Sequence, residues 1–283
     1  MTPNSARLFQ LFKYSVYAFL AFNVYLFWQE EFAAASLQFG DSIALSDFIE
    51  AYVATIDTAA WVVLLLMFEL ETYVLDDSHF TPRVAWGLHG LRALCYTFIL
   101  YSVYGYIANL MFVTDVQVLS GIAEICSLLP GSWSWAVTLD QYEAITASNC
   151  AGLSDAGTYY SFNGMSAIVD SAGLGEIQRL AWADVINGIT WVLVVVVLEI
   201  DVRLQEQNLL RGAALRASQA AKFLLYSILL LAAIYWTFEG GFVDSWDAWL
   251  WLIAFVFIEL NVFEWRHEEQ GPFPAEGAAV ISD

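Results

Sequence analysis

Apolar residues along this chain come in long blocks and do not alternate with polar ones. Six blocks lie at about residues 9–28, 49–75, 84–112, 179–200, 219–238 and 242–264. An α-helix needs roughly 20 apolar residues to cross a hydrocarbon core of about 30 Å, and each block approaches or exceeds that length. Four of the connections between them are short and one, 113–178, is long and polar. The pattern predicts an all-α membrane protein with six transmembrane helices in a single polytopic domain covering 1–283. Segment 113–178 is expected to form an ordered extracytoplasmic cap between helices three and four, with short helices lying on the membrane. Segment 267–283 is expected to be a flexible cytoplasmic tail.

The polar positions orient this bundle. Of ten Lys and Arg, nine (Arg7, Lys13, Arg83, Arg92, Arg203, Arg211, Arg216, Lys222 and Arg266) fall on one side of the six-helix pattern, and only Arg179 falls on the other. Basic residues accumulate on the cytoplasmic side of a membrane, so both termini are expected there. The location expected is a bacterial inner (plasma) membrane. A leader peptide is the alternative for the first block, since Ala33-Ala34-Ala35 resembles a cleavage site. The long aromatic run, with Glu30 and Glu31 at the processing position, argues for a retained helix.

The inward-running helices two, four and six share a spacing: Trp61 and Glu69, Trp191 and Glu199, Trp251 and Glu259, each Trp and Glu separated by seven apolar residues. The outward-running helices share another, since Lys13, Arg92 and Lys222 are each followed four positions later by Tyr. Three repeated helical hairpins would produce both, and internal repeats are common in transporters. Convergence is the alternative, because helix ends often carry charge and Trp is abundant in this chain.

Two sets of polar residues follow. Lys13, Glu69, Arg92, Glu199, Lys222 and Glu259 end apolar stretches and mark an inner charged layer. There they pair with one another or with Arg203, or form a gate or a cation site. Asp57, Asn187 and Asp247 each stand twelve residues before one of the three Glu, and Asp184 stands three residues before Asn187 on the same helical face. Twelve residues of helix span about 18 Å, which puts these groups below the outer surface. No Lys or Arg lies at that depth, and an ionisable group inside a span points to a functional site. These four are the candidate ion pathway. The alternative for Asp184 and Asp247 is helix N-capping.

Composition narrows the function. The chain is 59% hydrophobic and 14% charged, against about a quarter charged in soluble domains, and its net charge is −20. Nucleic acid is excluded as a partner for want of a basic stripe. Cys126 and Cys150 both lie in the cap, where a disulfide is permitted and would contribute roughly 3 kcal/mol. Cys95 reads as a small buried apolar group. The three His are not at metal-ligand or paired-haem spacing, no phosphate loop or catalytic elbow occurs, and no cofactor or metal is called for. The expectation is a channel or secondary transporter for a small cation or proton, with the lipid bilayer and a second copy or other subunits as partners. The alternative is a non-catalytic subunit or scaffold of a membrane assembly.

Overall fold

The computed structural model describes residues 3–38, 48–71, 81–122, 124–154, 157–207 and 209–269, with side chains at 3–6, 49, 50, 206 and 256–269 left aside. The first apolar block forms α1 (Pro3–Gln38). Ala35, at the apparent cleavage site, is buried within that helix against Ala51 and Tyr52. The second block is a short α2 (Phe48–Ala51), a break at Tyr52, and α3 (Val53–Glu69). The third is α4 (Pro82–Thr114), whose start is set by Thr81 accepting from the Val84 N–H and by Pro82 at the first helical position. After the cap come α5 (Ser171–Glu206), α6 (Ala213–Glu239) and α7 (Phe242–Glu269). Of these, α1, α4, α5 and α6 are long and apolar enough to cross a membrane. The tail reading meets α7 running to Glu269; residues 270–283 lie outside the described residues.

Each long helix packs against its neighbours in sequence, and α7 packs back onto α1. The result is a closed ring in the order α1, α3, α4, α5, α6, α7. Its centre is filled by Leu20, Leu65, Val194 and Ala254, all buried.

The cap contains strands, which its sequence pattern did not suggest. It is a five-stranded sheet in the order β1-β4-β5-β2-β3. The strands are β1 (Val116–Leu119), β2 (Ser134–Ala136), β3 (Tyr142–Ala144), β4 (Tyr159–Phe162) and β5 (Ala167–Asp170). Pairing is antiparallel except between β5 and β2. Strands of three or four residues are too short to show a periodicity of two. One face, with Ala136, Phe162 and Val169, packs on α4 and α5 through Leu110, Val113 and Ile177. The other, with Trp135, Tyr159 and Ile168, covers Ile125, Ile145 and Cys150. A 3-10 helix (Ile125–Gly131) precedes β2, and Cys126 is disulfide-bonded to Cys150. Helix α5 begins eight residues before the apolar block, because Asp170 accepts from the Gly173 N–H and caps it.

Candidate functional site

The four residues of the candidate pathway lie on two sides of one cavity. Asp57 comes from α3, Asp184 and Asn187 from α5, and Asp247 from α7. The cavity measures about 80 Å³ and lies at the cap end of the ring. Three further acids line it, Glu31 of α1, Asp244 of α7 and Asp140 of the cap, and no Lys, Arg or His does among the described residues.

Local partners differ among these acids. Asp57 accepts from the Tyr106 hydroxyl at 3.3 Å and from the Trp61 side chain one turn later. Asp247 accepts from Asn23 Nδ2 at 2.7 Å and from the Trp251 side chain one turn later. Glu31 has a structural task. Its oxygens accept from the Ala54 N–H at 2.6 Å, the Thr55 N–H at 3.0 Å and the Thr55 hydroxyl at 2.6 Å, so α1 caps the first turn of α3. Asp244 accepts from the Gly241 N–H at 3.2 Å, the N-terminal capping reading in a neighbouring residue. Asp184 accepts no hydrogen bond among the described residues.

The floor is aromatic. Trp61, Trp191 and Trp251 meet at the ring axis with centroid separations of 6.0, 6.4 and 6.4 Å, in the range of favourable ring contacts. Phe27, Tyr106 and Trp236 stand in the walls. Below the floor the buried apolar residues Leu20, Leu65, Val194 and Ala254 separate the cavity from the charges at the far end.

The roof is the tip of the β2–β3 hairpin. The Val137 and Thr138 N–H groups donate to the Gln141 carbonyl, closing a turn that pushes Leu139 and Asp140 into the mouth of the ring. Two smaller cavities border the same two residues, one toward α1 and α4 and one toward α5, α6 and α7. The disulfide spans the segment that carries this hairpin. Burial pushes the Asp140 carboxyl up to about 7, and the charge of Glu30 adds to the shift.

At the far end acids and bases pair, though not in the combination expected. Lys13 pairs with Glu69 at 2.6 Å, both nearly inaccessible, and Tyr14 donates to the same carboxylate oxygen at 2.9 Å. Arg92 pairs with Glu71 at 2.6 Å and Lys222 with Asp201 at 2.7 Å, so those bases reach the second acid of the preceding helix in the ring and pass over Glu69 and Glu199. Side chains two residues apart on a helix point in different directions, so only one acid of each pair faces the base. Lys13 follows α7 in the ring, and the corresponding residue there is Asn261, which offers no charge. Glu199 is exposed and binds Arg203 at 2.9 Å one turn on. The Glu259 side chain lies outside the described residues. Glu71 and Asp201 are therefore paired acids of this end that the spacing did not single out.

Asp244 was legible in principle: it precedes Trp251 by seven residues, as Asp184 precedes Trp191. Nothing in the spacing of Glu31 or Asp140 marks them. The chain matches no protein-family model, no curated protein and no solved structure.

Proposed function

We propose that this protein is a channel or secondary transporter for small cations or protons. In this reading the ring comprises six membrane spans with both termini in the cytoplasm of a bacterial inner membrane. The observation that carries it is the cavity: six carboxylates and two amides, drawn from α1, α3, α4, α5, α7 and the cap, line one space with no basic side chain among the described residues. Isolated carboxylates in such a space attract positive charge. The cavity is roofed by the cap and ends at the three Trp, with smaller cavities flanking the roof, so the reading is of a path closed on its inner side.

The ring also supports three repeated hairpins, α1–α3, α4–α5 and α6–α7. Seven residues after Lys13, Arg92 and Lys222 stand Leu20, Ile99 and Leu229, all buried. Fourteen residues after them stand Phe27, Tyr106 and Trp236, all in the cavity wall. Convergent lipid-facing composition does not require matching interior positions.

A second reading, a scaffold subunit in a membrane assembly, draws on the far half, where the described acids and bases are tied in pairs. The discriminating experiment is cation and proton flux into proteoliposomes across imposed gradients. The transport reading expects flux in the wild type that falls at least tenfold in Asp57→Asn. Absence of flux for protons, sodium and potassium alike would sink it, as would full flux in the variant.

A further inference from the structure

We infer that the cavity binds a small organic ammonium ion, held by Asp184 against the aromatic floor. The inference rests on the transport reading for the site's purpose, but its evidence is separate. No three of the acids converge closely enough to ligate one metal ion, among the described residues. A hard cation such as sodium or calcium asks for several oxygens around one point. The oxygens of this cavity are spread around its wall, and the space between them is bounded by ring faces and edges.

Those rings are the second part of the argument. A cation over an aromatic face is stabilised by the ring quadrupole, and indole is the best such surface. Three Trp meet at one point of the floor. The lining residues Tyr106 and Trp236 stand above them. An alkylammonium ion uses both surfaces at once: its N–H groups donate to a carboxylate and its carbon–hydrogen face lies on the rings.

The third part is Asp184. It lines the cavity, is partly buried and accepts no hydrogen bond among the described residues. A carboxylate placed there without a donor is costly to bury. Asp57 and Asp247 have side-chain donors and Asp244 a backbone donor. Asp184 and, in the roof, Asp140 are the lining acids left without a donor among the described residues, and Asp184, on the same helix as Trp191, is the one in the wall that a ligand ammonium would satisfy. The volume of about 80 Å³ has room for roughly five to eight water-sized groups, which suits methylammonium or a similarly small amine.

The test is calorimetric titration of methylammonium chloride into the purified full chain in detergent, with sodium chloride at equal ionic strength as control. Saturable methylammonium binding is expected, with no comparable heat from sodium. Trp191→Leu should weaken it about tenfold, and Trp191→Phe, which keeps a ring, should restore most of the loss. Asp184→Asn should weaken it at least tenfold while leaving the thermal midpoint no lower than wild type. That variant keeps the test decisive if Trp191→Leu does not fold. No saturable binding, binding unchanged in Asp184→Asn, or equal binding of sodium would overturn the inference. If flux depends on Asp57 but methylammonium does not bind, this inference fails and the transport reading stands. If methylammonium binds as described but no ion moves, the transport reading fails and this inference stands.

Discussion

The two halves of the ring handle buried charge in opposite ways. At the far end every acid with a described side chain that spacing or structure brings into the layer has a base within 3 Å: Glu69 with Lys13, Glu71 with Arg92, Asp201 with Lys222, Glu199 with Arg203. At the cap end the acids lie around a cavity with no base among the described residues. The same residue types thus do two jobs. Paired, they close and stiffen one end of the bundle. Unpaired, they leave the other end a place where positive charge is missing.

The largest expected effect lies in the far half. Lys13→Met strands Glu69 as a buried charge, and one of its oxygens already lacks a hydrogen bond. The expected loss is about 3–5 kcal/mol in denaturant unfolding. The double variant Lys13→Met, Glu69→Met should recover most of it. A single variant as stable as wild type would erase the contrast between the halves.

Next comes the cap, which is held covalently where the far half is held by ion pairs. Cys126→Ser removes a bridge between residues 24 positions apart. Loss of the cross-link should cost the cap about 3 kcal/mol, read as faster proteolysis between β2 and β3 than in the oxidised wild type. Equal protection would mean that strand pairing alone seats the hairpin tip.

A smaller effect concerns Asp140. Its carboxyl titrates near 7 in the folded protein and near 3.9 when unfolded. The folded state therefore favours the protonated form. The associated stability is fully present below about pH 4 and is lost as pH rises through about 7. Thermal midpoints measured from pH 4 to 8 should fall with pH in the wild type, and Asp140→Asn should flatten part of that slope. Identical slopes would show that Asp140 is hydrated and plays no part in the roof's pH response.

The smallest effect belongs to the exposed pair Glu199–Arg203. Arg203→Ala should change stability by no more than about 0.5 kcal/mol in the same unfolding assay. A loss as large as that of Lys13→Met would mean that this pair is buried by a partner.

Much of the helical framework was legible. Apolar blocks place the long helices because a buried or lipid-facing helix must be apolar over its length. The twelve-residue offsets picked out Asp57, Asn187 and Asp247, which line one cavity, because a helix has a fixed rise and equal offsets bring residues of side-by-side helices to equal heights. The break at Tyr52 and the early start of α5 were not legible. Each is decided by a carboxylate supplied from outside the apolar block, Glu31 for α3 and Asp170 for α5. The cap sheet was hidden because its strands are too short for a pattern and find partners far along the chain.

By itself, then, the sequence determined which segments are long apolar helices, at which offsets along them polar residues recur, and that Cys126 and Cys150 lie in the one long polar connection. These follow from local chemistry and a constant helical rise. Only the tertiary structure decided which acid meets which base, that α7 returns to α1 to close the ring, that three Trp share one axis, and that Glu31, Asp140 and Asp244 join the cavity. Such contacts depend on the rotation of each helix about its own axis. That rotation is set by packing against neighbours distant in the chain.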